Sequence, residues 1–133
     1  MEAVIEANPA PASKKMLWTG YILSALPALM LLFSGAMKFM KLDGMEEGLE
    51  HLGWKMSQMT GLGILEIACT VLYIIPQTSM LGAILLTGYL GGATATHVRV
   101  GDPWFMTVIL GILVWVGLYL RDGRLRALIP IRT

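Results

Sequence analysis

Four long apolar runs constrain what this chain can fold into more than any other feature. The first, Trp18 to Met37, carries no charged residue over 20 positions, and a helix needs about 20 apolar residues to cross the hydrocarbon core of a bilayer. Three more runs follow, over residues 57–75, 79–96 and 104–120, and Glu66 is the one charged residue in them. Apolar residues fill consecutive positions instead of alternating with polar ones, so the runs predict helices rather than the strands of a barrel.

The small share of charged residues indicates that lipid covers the outside of the protein. Of the 133 residues, 56% are hydrophobic and 14% are charged, against about 25% charged in an ordinary soluble domain. A soluble chain this short needs more polar surface than that to cover its core. We therefore predict an all-α fold, an integral membrane four-helix bundle in the cell membrane. Its spans are expected to cover about residues 18–38, 57–75, 79–97 and 104–120.

The segments outside the spans predict the orientation. We expect a flexible cytoplasmic leader at residues 1–15, a transmembrane domain over 16–121 and a basic cytoplasmic tail at 122–133. Residues 1–13 hold no Lys or Arg, unlike the basic start of a signal peptide, so the first run is expected to be retained as a span. Four spans put both termini on one side, together with six of the ten basic residues: Lys14, Lys15, Arg121, Arg124, Arg126 and Arg132. The positive-inside rule then favours both termini in the cytoplasm.

The longest link between spans, Lys41 to Met56, is predicted to contain a short amphipathic helix on the outer interface. Four apolar residues recur there at helical spacing, with acidic residues between them: Met45, Leu49, Leu52 and Met56. This period indicates a helix that lies on the membrane surface and ends near Gly53. A disordered acidic loop is the alternative that the pattern leaves open.

Glu66 is the most informative polar residue, because an ionisable group inside a span costs roughly 2.5–3.5 kcal/mol or more. The residues on its face at helical spacing form the most polar stripe of the helix: Leu62, Gly63, Cys69, Thr70 and Tyr73. Glu66 is therefore expected to face other helices rather than lipid. One interpretation is a proton-exchange or ligand site, and the other is a carboxyl group that only fixes the packing of the helices.

Three more polar residues are expected above Glu66, at the outer mouth of the bundle. Lys38 ends the small and polar seam of the first span, and His97 and Arg99 follow the glycine-rich third span. With Glu66 they form a candidate cluster for ligand binding or proton exchange; a snorkelling anchor and an interfacial hydrogen bond are the alternatives for Lys38 and His97. Glu66 lies roughly 13 Å below the outer boundary, so a direct pair with Lys38 is expected to need an ordered water or a shifted helix.

The third span also carries a glycine pattern. Gly88 and Gly92 form a small-xxx-small pair, with Gly91 beside them. Because such pairs let helix backbones approach closely, these three glycines are predicted to form a helix–helix contact.

Motifs of the common metal, haem and nucleotide sites are missing from the sequence. Cys69 is the single cysteine, and His51, one of two histidines, falls in the outer link, so neither a metal site nor a bis-histidine haem is expected. The glycines lie inside spans, outside the strand–loop–helix context of a phosphate-binding loop. A net charge of +1 argues against a nucleic-acid partner, which needs a basic patch.

Several stretches of the sequence resemble the DoxX-like family of small four-helix membrane proteins. The matching segments are Phe33–Lys38, Gly61–Glu66, Leu72–Pro76, Leu90–Arg99 and Trp115–Arg126. The run Gly-Gly-Ala-Thr-Ala-Thr-His-Val-Arg, residues 91–99, is the most specific of them. The resemblance implies a fold more than an activity. For Lys38, Glu66, His97 and Arg99, the resemblance implies only that the family motif has polar groups at these positions, in or beside the membrane.

The resemblance implies two alternative functions. The family is named for its similarity to a membrane subunit of an archaeal thiosulfate:quinone oxidoreductase. This favours a redox-associated subunit whose bundle core binds a quinone-like or other amphiphilic molecule, with Glu66 exchanging protons and Lys38, His97 and Arg99 binding the head group. A eukaryotic relative is an assembly chaperone for receptor channels, so the alternative is a non-catalytic assembly module that packs against another membrane protein or forms a homo-oligomer. The sequence leaves open whether the protein is an enzyme and whether a quinone is its cofactor.

Overall fold

The computed structural model describes residues 13–131, and every regular element in that range is helical. The helices are α1 (Lys14–Met37), α2 (Met45–Leu52), α3 (Met56–Ile74), α4 (Ser79–Arg99), α5 (Phe105–Arg121) and α6 (Gly123–Leu128), with a 3₁₀ turn at Pro76–Thr78. The prediction of an all-α fold is confirmed. Helices α1, α3, α4 and α5 begin and end within a few residues of the four predicted spans. The predicted leader, residues 1–15, lies outside the described residues except for its last three.

Two helices, α1 and α3, are long and apolar enough to cross a membrane, and α5 is apolar but shorter. Large apolar side chains are exposed on all four long helices, among them Phe33 at 69%, Ile64 at 57%, Ile84 at 55% and Ile112 at 56%. Apolar surface of this extent marks a protein that meets lipid or another protein there.

The four long helices contact one another in a ring. Helix α1 packs against α3 and α5, and α4 packs against the same two helices. Neighbouring helices are antiparallel, since Lys38 at the end of α1 contacts Glu66 in the middle of α3, whereas Ser24 near the start of α1 contacts Tyr73 at the end of α3. The ring therefore has an Arg99 end, where α1 and α4 finish, and an Arg121 end, where α3 and α5 finish.

Tyr73 of α3 dominates the core of the ring. Its side chain is fully buried, and its hydroxyl donates to the Val114 carbonyl of α5 at 2.7 Å and lies 3.0 Å from the Ser24 hydroxyl of α1. The other buried side chains of this cluster include Leu31, Leu86, Val114, Leu118 and Cys69. Because the phenol finds partners on two other helices, it joins the helices without leaving a buried polar group unsatisfied.

Two glycines allow close approach of helix backbones. A Cβ atom on Gly82 of α4 would overlap the backbone of Tyr73 and Leu72 in α3, and one on Gly117 of α5 would lie 2.8 Å from the backbone nitrogen of Ser24 in α1. Since no side chain fits at either position, Gly82 sets the spacing of α3 and α4, and Gly117 sets the spacing of α1 and α5.

The glycines that the sequence predicted to form a helix contact do not form one within the described residues. Gly88, Gly91 and Gly92 are exposed, and a Cβ atom added to any of them would have no neighbour within 4 Å. The spacing does not say which face of the helix packs, so a contact of these glycines with a helix of another chain stays a prediction. Helix α4 packs through the face that carries Gly82 and Leu86 instead.

The predicted amphipathic helix is present as α2. It ends at Gly53, whose φ of +84° lies in the left-handed region that favours glycine at a helix end. The Trp54 amide then donates to the Leu49 carbonyl at 2.8 Å. Three apolar side chains of α2 are partly buried and three acidic ones are exposed, in the alternation that the sequence indicated: Met45, Leu49 and Leu52 against Glu46, Glu47 and Glu50.

The segment that follows α5 folds back against the Arg121 end. Asp122 starts α6 by accepting the Arg124 amide at 2.9 Å, and Leu125 is 2% exposed within the core cluster. The guanidinium of Arg126 donates to the Tyr119 carbonyl at 2.8 Å. The predicted basic tail therefore begins with a packed helix.

Candidate functional site

A cavity of about 720 Å³ lies at the Arg99 end, between α1, α2, α3 and α4. Its apolar wall includes Met37, Met45, Leu49, Leu52, Trp54, Met59 and Leu62. Its polar groups are Ser34, Lys38, Tyr89, Thr96, His97 and Arg99. Sites for small molecules have volumes of about 300–1,000 Å³ and a mostly apolar lining with a few convergent polar groups. The cavity has both properties.

Two features of the chain create this cavity. Gly88 and Gly92 line it from α4, and the missing side chains leave space that larger residues would fill. Helix α2 covers it from the other side. That helix is held to the end of α4 by Arg99, whose Nη2 donates to the Leu52 carbonyl at 2.6 Å.

A second contact ties α2 to the turn after α4. The His51 ring Nε2 lies 2.9 Å from Asp102 Oδ1, on the surface. Together with the contact made by Arg99, it fixes the end of α2 to α4 and to the turn that follows α4.

Lys38 and Glu66 form a buried pair at the base of the cavity. Lys38 follows the last residue of α1, and its Nζ donates to Glu66 Oε2 at 2.6 Å and to the Ser34 hydroxyl at 3.0 Å. The Tyr89 hydroxyl of α4 donates to the same carboxylate oxygen at 3.0 Å. Glu66 is 1% exposed, so these contacts supply the hydrogen bonds that a carboxylate needs away from water.

The direct pair corrects the expectation that an ordered water or a shifted helix is needed between Lys38 and Glu66. That expectation was based on the number of residues between each side chain and the outer end of its apolar run. The lysine side chain instead extends back along its own helix towards Ser34, four residues earlier. Long side chains on helices lean towards the N-terminus, and this brings the ammonium down to the carboxylate.

His97 and Arg99 line the same cavity as Lys38, while Glu66 lies behind Lys38 and Tyr89 without lining it. The His97 ring Nδ1 is 2.7 Å from the Ala93 carbonyl of its own helix. The structure thus joins Lys38 directly to Glu66 and places His97 and Arg99 around the same space.

Tyr89 and the α2 helix are parts of the site that the sequence reasoning did not assign to it. Tyr89 lies eight residues before His97, on one face of α4 with Ala93 between them. This helical spacing could have indicated that Tyr89 belongs to the site. No sequence signal indicated that α2 lies over the cavity, because a periodic pattern predicts a helix but not what the helix covers.

The charges at the cavity favour a ligand with hydrogen-bond acceptors. The ammonium of Lys38 is balanced by Glu66, whereas the Arg99 guanidinium donates to a neutral carbonyl. Among the residues that line the cavity, Arg99 is therefore the cation that no carboxylate balances. Between residues 13 and 131, no group of three His, Cys, Asp or Glu side chains is placed to hold a metal ion. What this arrangement provides is an apolar chamber with N–H and O–H donors at one end.

Comparison with known proteins identifies the family of this chain. A family model described as the DoxX-like family matches residues 22–118, a range that includes the cavity walls on α1, α3 and α4 and the helix that covers them. No curated protein and no solved structure matches the chain. The resemblance noted in the sequence is confirmed, and with it the assignment to a family of membrane-associated proteins. This chain belongs to the DoxX-like family.

Proposed function

We propose that this protein is a four-span membrane protein that binds an amphiphilic small molecule in the cavity at its Arg99 end. The single observation that carries the binding function is the cavity of about 720 Å³, with apolar walls on three sides and Lys38, His97 and Arg99 around its polar part. An apolar tail would pack against the methionine and leucine side chains. A polar head would accept hydrogen bonds from the Lys38 and Arg99 side chains and lie beside the His97 ring.

The proposal of four membrane spans rests on exposed surface. Helices α4 and α5, with 21 and 17 residues, pack beside α1 and α3 in one ring. All four helices present large apolar side chains outwards, and such surface is stable in contact with lipid. At the Arg121 end, the described residues include five basic residues and one acid: Lys14, Lys15, Arg121, Arg124, Arg126 and Asp122. This balance supports an Arg121 end in the cytoplasm.

This topology predicts which introduced cysteines react from outside the cell. Glu47→Cys in α2 should be labelled on intact cells by a membrane-impermeant maleimide, because α2 lies at the Arg99 end. Leu128→Cys in α6 should be labelled only after the cells are permeabilised. The native Cys69 is 3% exposed, so the unmodified chain supplies the background. Labelling of Leu128→Cys on intact cells would contradict the proposed orientation.

Among amphiphilic small molecules, we propose a quinone-like molecule as the ligand of the cavity. Its ring carbonyls are acceptors that the Arg99 and Lys38 donors suit, and its apolar tail suits the walls. The Lys38, Glu66 and Tyr89 side chains form a continuous hydrogen-bonded chain from the cavity to a buried carboxylate. Such a chain supports proton exchange with a bound head group. We propose the redox-associated role together with this ligand.

A cavity-filling variant tests the binding function. Gly92→Phe puts an aromatic side chain into the cavity, whereas Gly61→Phe puts the same side chain on an exposed face of α3 where a Cβ atom has no neighbour within 4 Å. The probe is a short-tailed quinone added to the detergent-purified chain, with quenching of tryptophan fluorescence as the measure, since Trp54 lines the cavity. We expect Gly92→Phe to weaken binding at least about tenfold and Gly61→Phe to leave it unchanged. Equal affinity in both folded variants would contradict binding in the cavity.

A second candidate function, the assembly module, is favoured by one observation. A groove of about 420 Å³ runs along the outside of α4 and α5 and contains Gly91 and Gly111, where small residues let a partner helix approach. Gentle extraction followed by mass spectrometry distinguishes the two functions. A bound amphiphile supports the first, and a protein partner in stoichiometric amount supports the second.

A further inference from the structure

A second polar cluster lies at the Arg121 end, on the opposite side of the core from the cavity. Its centre is the guanidinium of Arg121 at the end of α5, which is only partly buried. The Nε donates to the Ser24 hydroxyl of α1 at 2.9 Å, and the two terminal nitrogens lie 3.4 Å from the Ser79 hydroxyl and 3.3 Å from the Tyr73 carbonyl. The guanidinium carbon also lies 5.0 Å from the centre of the Tyr73 ring.

The charge of Arg121 is not balanced by this cluster. All of its hydrogen-bond acceptors are neutral, and the ion pairs within residues 13–131 are Lys38–Glu66 and His51–Asp102. Three of the five guanidinium N–H groups donate to these acceptors, which leaves two for another partner. The neighbouring Asp122 accepts two backbone amides at the start of α6 through its Oδ1 and forms no ion pair with Arg121. A partly buried cation without a carboxylate at hand favours an anion from outside the chain.

A groove of about 300 Å³ leads from Arg121 along the outside of α1 and α3. Apart from Arg121 and the hydroxyl groups beside it, the groove is apolar: Ala25, Ala28, Leu29, Leu32, Ile74 and Pro76. Ala25 and Leu29 are exposed on the outer surface of the ring, so the groove is open towards the surroundings of the helices. Its shape suits a hydrocarbon chain with an anionic group at the end that meets Arg121.

The surrounding charges reinforce this preference. Of the described residues at this end, four more are basic and one, Asp122, is acidic. Basic pockets between membrane helices bind anionic lipid head groups, because the local potential adds to the direct contacts. The alternative for Arg121 is a purely structural role in which it joins the ends of α1, α3 and α4.

We propose that Arg121 and the α1–α3 groove bind one anionic phospholipid, with its phosphate at the guanidinium and an acyl chain along Ala25 and Leu29. The site is separate from the cavity and does not depend on the function proposed for it. The phosphate accepts hydrogen bonds from the free N–H groups of Arg121. The acyl chain covers apolar surface that the helices leave open, so the lipid bridges α1 and α3 along the groove.

The test compares two lipids and two pairs of matched variants of the full chain in mild detergent. The probes are phosphatidylglycerol and phosphatidylcholine with identical acyl chains, and native mass spectrometry measures the lipid bound to each protein. Ala25→Trp fills the groove and Ala68→Trp places the same side chain on an exposed position of α3 outside the groove. Arg121→Gln removes the guanidinium and Arg124→Gln removes an exposed basic group at the same end.

We expect the native chain to bind one phosphatidylglycerol at least about tenfold tighter than phosphatidylcholine. Ala25→Trp and Arg121→Gln should lose this preference, and the two controls should keep it. If Arg121→Gln does not fold, Ala25→Trp alone decides. Equal binding of the two lipids, or equal losses in a variant and its control, would overturn the proposal. Inorganic phosphate should not displace the lipid at millimolar concentration; displacement would show a site for free phosphate instead.

Discussion

Replacing Gly82 by alanine is expected to destabilise the fold by about 3 kcal/mol or more, whereas the same substitution at Gly88 is expected to leave stability unchanged or slightly higher. At Gly82 the added methyl group would overlap the backbone of Tyr73 and Leu72. Backbone atoms cannot rotate away as a side chain can, so α3 and α4 would have to separate. Overpacking a tight interface typically costs about 1–3 kcal/mol, and more where the backbone must move.

The control at Gly88 measures the effect that alanine itself has on the stability of the helix. Both glycines lie inside α4, where alanine is favoured over glycine by about 1 kcal/mol. At Gly88 that gain meets no opposing contact, because no atom lies within 4 Å of the added carbon. Thermal unfolding of the purified variants in detergent, followed by circular dichroism, measures the difference. Similar melting temperatures for the two variants would show that the α3–α4 contact is looser than described.

This pair of glycines also shows where sequence reasoning reaches its limit. The glycine-rich run of residues 88–92 is conspicuous in the sequence, while Gly82 stands alone. Spacing identifies residues that share a face but does not identify the face that meets another helix. The contact is set by the turn at Pro76–Thr78, since it fixes how α4 folds back on α3. Such three-dimensional constraints do not appear in a local pattern.

Local patterns did predict the helices well. The four long helices and α2 follow from uninterrupted apolar runs and from one helical period, and both signals depend only on neighbours in sequence. The end of α2 at Gly53 follows in the same way from the conformation that a helix end requires. The packing of α6 was not predicted, because a helix of six residues is too short to show a period and Arg124 and Arg126 flank Leu125 within it.

The candidate site was only partly predictable for a related reason. Glu66 and Lys38 are charged residues inside or directly after an apolar run, where a charge is costly or unusual. Each could therefore be identified from the sequence alone. Ser24 within the first run and Arg121 just after the fourth are ordinary residues for their positions, and only the fold brings them to Tyr73. A cluster assembled from four helices leaves no signature unless one of its members is out of place in the sequence.

The second large effect is expected from breaking the pair of Lys38 and Glu66. Lys38→Met removes the cation but leaves a carboxylate whose side chain is 2% exposed, with the Tyr89 hydroxyl as its remaining side-chain donor. Removing one partner of a buried ion pair typically costs about 3–5 kcal/mol. Because the Lys38 side chain is 20% exposed and water reaches part of the pair, we expect a loss near the lower end of that range, about 3 kcal/mol.

The double variant separates the pair from its surroundings. Lys38→Met with Glu66→Leu replaces both charged groups by apolar ones of similar size, and such replacements are often neutral. We therefore expect the double variant to be more stable than Lys38→Met alone, with Lys41→Met, an exposed lysine three residues further on, as the control for loss of a surface charge. Melting temperatures of the four variants in detergent measure the coupling. If the effects of Lys38→Met and Glu66→Leu simply add, the two side chains do not stabilise each other, and the carboxylate at the base of the cavity is held by Tyr89 and its own helix instead.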